Sequence, residues 1–299
     1  MTVHEALLHA SRRKLLFEVL IVDEAGQVPL AYGAPLGLLA GSVLLFGDPA
    51  QLNAIFPEDL EGDPLACSLL DRFSDAIRGD GRELTFLSET HRLNSTLATI
   101  IGETYYRGRG FRAAAANAER SFPLPTALDD QWVREVLDPD HPLVWVRTRE
   151  IGRYRSSPEE ATLIARIVAH LCASGFDPSR LGVVAPFRVQ VREIRSAVQS
   201  AAPSRRPPLI DTVERLQGQS VDVALISLAS SDPDRVAAMG DFFFSDNRWN
   251  VALSRARTKV VVFGSPLVLD ALPASLAATT GAIRLRQVLE SAHVVASPT

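Results

Sequence analysis

Val19-Leu20-Ile21-Val22-Asp23-Glu24-Ala25-Gly26-Gln27 sets an unbroken apolar run directly before two acids. Four consecutive apolar positions predict a parallel strand covered on both faces, because a half-solvated strand would alternate. Open α/β sheets bind ligands beyond the carboxyl ends of such strands, which is where Asp23 and Glu24 fall. Asp23 suits Mg²⁺, an ion that takes one or two carboxylates and otherwise keeps waters and phosphate oxygens. Glu24, one residue on, suits a base that orients an attacking water. A helix N-terminus also favours acids, so the stretch has to be read with its neighbours.

The same design recurs. Apolar runs at Val19–Val22, Val43–Phe46, Leu84–Leu87, Leu143–Val146, Leu181–Val184, Val223–Ser227 and Lys259–Phe263 alternate with helical patterns. That alternation predicts an α/β protein with mostly parallel strands. Pro158–Ala173 reads as a helix behind a Ser156-Ser157 cap, with Glu159 and Glu160 in its first turn. Ala201–Pro208 reads as a surface loop and Ile283–Ala292 as a final amphipathic helix. The proline-rich stretch Arg120–Pro142 has the weakest regular pattern and predicts a boundary. The expected division is residues 1–130, residues 140–275 and a tail at 276–299.

Composition narrows the class. The 299 residues are 46% hydrophobic and 22% charged, enough for a sizeable core. A formal net charge of −4 implies no polybasic tail, so any nucleic-acid contact must come from local placement. All but two of the 31 basic residues are arginine, the exceptions being Lys14 and Lys259. Cys67 and Cys172 belong to no CxxC pair, which argues against a disulfide scaffold, a zinc ribbon and a cysteine-ligated cluster. Residues 28–46 carry no charge and hold Gly33, Gly37 and Gly41, in the manner of a membrane span. Pro29 and Pro35 inside it, and acids at both ends, point instead to a short buried helix followed by a buried strand. With no signal-peptide core at the N-terminus, the expectation is a soluble, cytoplasmic protein that does not engage a membrane.

Five further stretches follow the pattern of apolar run and polar turn. Gly47-Asp48-Pro49-Ala50-Gln51-Leu52 allows a tight strand exit and offers Gln51 as a neutral donor and acceptor. Glu89-Thr90-His91-Arg92-Leu93-Asn94 places an arginine where it can reach a phosphate or make a structural ion pair. Ala185-Pro186-Phe187-Arg188-Val189-Gln190 and Thr212-Val213-Glu214-Arg215-Leu216-Gln217-Gly218-Gln219 follow in the second half. Arg248-Trp249-Asn250-Val251-Ala252-Leu253-Ser254-Arg255-Ala256-Arg257 comes last. If helical, it puts Arg248 and Arg255 on nearly one face.

Taken together and in this order, DEAGQ, GDPAQL, ETHRLN, APFRVQ, TVERLQGQ and RWNVALSRAR resemble the C-terminal part of superfamily 1 helicases. The nearest resemblance is to subgroup B, which holds the nonsense-mediated-decay RNA helicase and the Okazaki-fragment nuclease-helicase. The six stretches resemble motifs II and III, the arginine element that follows, and motifs IV, V and VI, from about residue 17 to 270. The resemblance implies two RecA-like parallel-sheet domains, the first incomplete at its N-terminus, with ATP and Mg²⁺ between them. It implies 5′-to-3′ movement on single-stranded nucleic acid, with DNA slightly favoured over RNA. By the same resemblance Asp23 holds Mg²⁺, Glu24 activates water and Gln51 senses the γ-phosphate. Arg92 and Arg255 are implied as arginine fingers, whose planar, permanent charge suits a transferring phosphoryl group. Gly218 and Gln219 are implied near the γ-phosphate, and Thr212 and Arg188 at the nucleic-acid backbone.

The match has gaps. No lysine lies in a Walker A loop, G-x-x-x-x-G-K-[ST]. The expectation is therefore the C-terminal portion of a longer helicase, with the Walker A segment supplied in cis or by a completing partner. Ser220 stands where motif V usually carries an acid, and His91 where a tyrosine is common. These departures keep an alternative open, a degenerate RecA-like module that binds nucleic acid or a partner without hydrolysis.

Overall fold

In the computed structural model, which describes residues 2–10, 17–56, 60, 63–79, 84–203 and 207–298, the opening run lies in strand β1. The chain forms two compact units, Met1–Phe86 and Leu87–Thr299. The first holds α1 (Val3–Ala10), β1 (Phe17–Val22), α2 (Gly33–Gly37), β2 (Ala40–Leu45) and α3 (Leu69–Gly79). β1 and β2 pair in parallel, with Val19 opposite Ser42 and Val22 opposite Leu45. The uncharged run thus folds as a short helix and a strand, but the strand is not the buried one expected: Val43 and Leu44 are 38% and 50% exposed. Among the described residues no helix is long and apolar enough to cross a membrane.

A second expectation fails in this unit. β1 is not covered on both faces: Val22 is buried with Leu36, Leu39, Leu69 and Leu70, whereas Val19 and Ile21 are 49% and 62% exposed. Among the described residues the apolar packing lies against one side only, and the period of two sends the odd-numbered side chains to the other.

The second unit carries β3 (Glu89–Thr90), α4 (Ser95–Tyr105), β4 (Arg112–Ala113), α5 (Gln131–Val136), β5 (Leu143–Arg147) and α6 (Pro158–Ala173). It continues with β6 (Leu181–Val184), α7 (Arg188–Ala201), β7 (Leu209–Asp211), β8 (Val221–Ser227), α8 (Pro233–Ala238) and α9 (Gly240–Phe243). It ends with α10 (Asp246–Leu253), β9 (Ala256–Gly264), α11 (Leu276–Glu290) and β10 (His293–Ala296). Six strands form one sheet in the order β10-β5-β9-β8-β6-β7, every pairing parallel. This is the α/β class read from the sequence. One face buries Val144, Val183, Leu225 and Phe263 against Ile164 and Leu171 of α6 and Ile194 of α7. β6 and β8 are buried at every residue, so here both faces are covered.

Four local readings change. Leu84–Leu87 forms no strand; Leu87 is 69% exposed, and only the two-residue β3 follows, paired with β4. Among the described residues no strand pairs with this run, and an apolar sequence does not by itself supply one. The compact units divide at Phe86 and Leu87, ahead of the proline-rich stretch expected to mark the boundary. Asn94 shows why: its backbone N–H donates to Arg257 O at 3.2 Å, and its Nδ2 donates to Thr258 O at 3.0 Å. Phe122 and Leu128, inside the proline-rich stretch, are buried in the core of the six-stranded sheet. The C-terminal segment is integral too, since α11 starts earlier than expected and β10 adds an edge strand on β5. Leu209–Asp211 supplies the opposite edge, next to a loop whose residues 204–206 lie outside the described residues.

Candidate functional site

Beyond the carboxyl ends of β1 and β2, the DEAGQ and GDPAQL turns are laced together. Ala25 N–H donates to Phe46 O and Ala54 N–H to Gly26 O, both at 2.8 Å. Gly47 sits at the crossing: a Cβ there would lie 2.8 Å from Leu70 Cδ2 and 3.2 Å from Gly26 N. Gly47→Ala is therefore expected to destabilise this unit by about 1–3 kcal/mol through overpacking, read as a lowered urea midpoint.

Asp48 holds the second turn, accepting from Ala50 N–H at 2.9 Å and from Gln51 Nε2 at 3.0 Å. Asp23 Oδ1 accepts from Glu24 N–H at 2.9 Å. Glu24 has φ 52° and ψ 40°, left-handed for a residue that is not glycine. Gln27 Nε2 donates to its carboxylate at 3.3 Å. Among the described residues no group of three or more His, Cys, Asp or Glu side chains is placed to hold a metal. A cation held by Asp23 would have one protein carboxylate and would need water and phosphate for its other positions, a donor set that Mg²⁺ accepts.

In the second unit, residues far apart in sequence meet at the amino-terminal edge of the six-stranded sheet. Arg255 immediately precedes β9, and its carbonyl accepts from Val221 N–H, the first residue of β8, at 3.1 Å. Its side chain is buried: Nε donates to Val251 O and Nη1 to Gln219 O, each at 3.1 Å. Arg92 Nη1 donates to Ser254 O at 3.1 Å. Gly218, at φ 80°, makes the left-handed turn before Gln219 that glycine adopts without cost. Arg92 thus lies in the same compact unit as Arg255, and not in the unit of Asp23.

Arg248 and Arg255 do not share a helix face. α10 stops at Leu253, because the chain must leave it to enter β9. Arg248 instead pairs with Glu214 at 2.5 Å and covers the Phe242 ring at 4.0 Å.

Thr212 and Arg188 fall at the opposite, carboxyl-terminal edge, where Ala185 N–H donates to Asp211 O at 3.3 Å. Thr212 is 8% exposed, while Arg188 is exposed at the start of α7. Lys259 gives no phosphate ligand here. Lys14 lies outside the described residues. Lys259 is buried in β9 with its ammonium donating to Asp138 O at 2.7 Å and to His141 O, and burial lowers its pKa to about 7.

Beneath the carboxyl edge runs a buried polar network that the sequence reading missed. Ser157 N–H donates to Gln190 Oε1 at 2.8 Å, and Gln190 Nε2 donates to Ser227 Oγ at 3.1 Å. Ser227 Oγ donates to Glu160 Oε2 at 2.5 Å, and Ala229 N–H to the same oxygen at 2.9 Å. The only sequence signal was Glu160 as a first-turn acid, which does not distinguish a buried carboxyl from a solvated one. Burial pushes the Glu160 carboxyl up to about 8, against the lowering effect of Ser227 and Ala229. Folded Glu160 keeps its proton up to that pH while the unfolded chain releases it near 4.5. Its contribution to stability is therefore full below about pH 4.5 and is lost as pH rises to about 8. Glu160→Gln is expected to remove that slope from a plot of melting temperature against pH.

Comparison with known proteins places residues 65–267 in a match to the AAA domain family. The chain is 28% identical over 266 residues to the Arabidopsis thaliana DNA replication ATP-dependent helicase/nuclease JHS1, covering 86% of this chain and 19% of that protein. It is 29% identical over 280 residues to the Homo sapiens RNA helicase Mov10l1, covering 85% and 22% respectively. The chain thus spans about a fifth of the length of these relatives. Among solved structures, an Arterivirus nonstructural protein 10 (helicase) bound to DNA aligns with TM-score 0.40 and 15% identity, covering 82% of this chain and 39% of that one.

Proposed function

Because the chain belongs to the AAA domain family, we propose that it is the C-terminal motor portion of an ATP-dependent superfamily 1 helicase or translocase. The observation that carries this reading is the meeting of Arg92, Gln219 and Arg255 at one sheet edge. Thr212 and Arg188 at the other edge leave the two jobs on separate surfaces, phosphate chemistry on one and strand contact on the other. In this reading Asp23 takes the Mg²⁺ of the nucleotide, Glu24 orients the attacking water and Gln51 senses the γ-phosphate. Arg92 and Arg255 stabilise charge on the phosphoryl group as it transfers, with Gly218 and Gln219 beside it. Magnesium, when bound, neutralises phosphate charge.

The phosphate cradle is proposed to come from a Walker A segment in cis or from a completing partner, since these 299 residues hold none. The substrate is proposed as single-stranded DNA ahead of RNA, with 5′-to-3′ movement. A relative named for DNA replication supports the first choice, and one named an RNA helicase sets the comparison.

Two measurements test the reading. Immunodetection in the native cells is expected to show a product well above the 32.5 kDa of this chain. Anisotropy of labelled oligonucleotides is then expected to show Mg·ATP releasing the strand from that product. A 32.5 kDa product whose oligonucleotide affinity ignores ATP would replace the motor with the non-hydrolysing module.

A further inference from the structure

We propose that the carboxyl-terminal edge of the second unit carries a base-stacking platform, Tyr154 and Phe187, flanked by Arg155 and Arg188. The inference rests on the nucleic-acid reading above and assigns it an additional contact, with the bases as well as the backbone.

Rings and guanidinium groups alternate along this edge. Arg235 and Arg155 each lie 4.8 Å from the Tyr154 ring centroid. Arg155 is also 5.7 Å from Phe187, which stacks on Phe242 at 5.4 Å and 21°. The pattern is already in the sequence as Arg153-Tyr154-Arg155 and Phe187-Arg188, but only folding joins the two pieces.

The platform is built before any ligand arrives. Arg153 N–H donates to Ser231 Oγ at 2.9 Å and Arg155 N–H to Ser230 Oγ at 3.2 Å, while Ser231 N–H donates back to Arg153 O at 3.0 Å. Arg155 is held at φ 64°, a left-handed conformation that a side chain adopts only under constraint.

Charge selects the ligand. Arg153 pairs with Glu150 at 2.8 Å, Arg235 with Asp232 at 3.5 Å and Arg248 with Glu214 at 2.5 Å. Arg155 and Arg188 are exposed and enter no ion pair among the described residues, so two cations face solvent beside half-buried rings. A single strand offers both complements, phosphates for the guanidinium groups and a π-face for every ring. On binding, Arg155 swings to a phosphate and a base takes its place over the ring. Base stacking outweighs an exposed cation–π contact, so the exchange favours binding.

The test uses the 299-residue chain, a fluorescent oligothymidylate and an abasic oligonucleotide of equal length and charge. The native chain is expected to bind the base-bearing strand about tenfold or more tightly than the abasic one. Tyr154→Leu with Phe187→Leu is expected to erase that preference while leaving abasic affinity unchanged, and Tyr154→Phe to retain it. Arg155→Ala and Arg188→Ala are each expected to reduce the salt slope by about one on both strands. Equal affinity of the native chain for both strands overturns the platform and leaves nucleic-acid binding standing. Binding of neither strand overturns the nucleic-acid reading as well. Displacement of the strand by polyglutamate at matched charge would reassign the edge to acidic protein segments.

Discussion

Arg255→Ala is expected to lower ATP turnover of the complete motor by about 10³–10⁵-fold, the range measured for arginine fingers in other nucleotide hydrolases. The side chain also ties two segments together. It joins the end of α10 to the 212–219 stretch through Val251 O and Gln219 O, at a residue only 3% exposed. Truncation removes a charge-assisted donor from each carbonyl, although Val251 O keeps Ser254 Oγ at 3.4 Å, so a stability loss of about 1–3 kcal/mol accompanies the expected loss of turnover. Arg255→Lys separates the two effects. A lysine reaches one carbonyl and keeps the charge, but it lacks the planar fork. Part of the stability is expected to return while turnover stays low. Steady-state phosphate release and urea titration on the same preparations decide it. Normal turnover with lowered stability would leave Arg255 a tether and pass the finger role to Arg92.

Glu24→Gln is expected to lower turnover by about 10²–10⁴-fold, the usual worth of a positioned base, with ATP binding retained. The glutamine still accepts from Gln27 Nε2, which now donates to the carboxylate, so the turn itself is kept. The backbone supplies an independent check. Glu24 holds φ 52°, and a left-handed residue with a Cβ costs about 1–2 kcal/mol that glycine does not. Glu24→Gly is therefore expected to be at least as stable as the native chain and inactive. Loss of turnover without loss of stability in Glu24→Gly would mark the strained position as functional. A Glu24→Gln protein with native turnover would move the base elsewhere and remove the reading of DEAGQ.

How far the sequence carried differs between elements. Leu181–Val184 and Val223–Ser227 were legible as doubly covered strands because they lack charges, are almost wholly apolar, and each meets a neighbour on both sides. Leu84–Leu87 carries a similar run and forms no strand, because strand formation needs a partner and the run does not contain it. Val19–Val22 is a strand, yet only Val22 is buried while Val19 and Ile21 are exposed. Composition states what a strand is able to bury and does not state what packs on it.

The polar stretches behaved alike. Their residue types and order were readable locally, as were the strand–turn pattern, the helix at Pro158–Ala173 with its Ser157 cap, and the acids that follow β1. Those features depend on nearest neighbours and on spacing along the chain. Tertiary structure alone decided that Arg92 meets Ser254, that Arg255 meets Gln219 and that Arg248 turns away to Glu214. It also decided that Glu160 is buried and that Tyr154 and Phe187 share one rim. Each of these depends on strand order and crossovers, which join segments dozens of residues apart. No local pattern encodes which edge of the sheet a turn will face until the strands have paired.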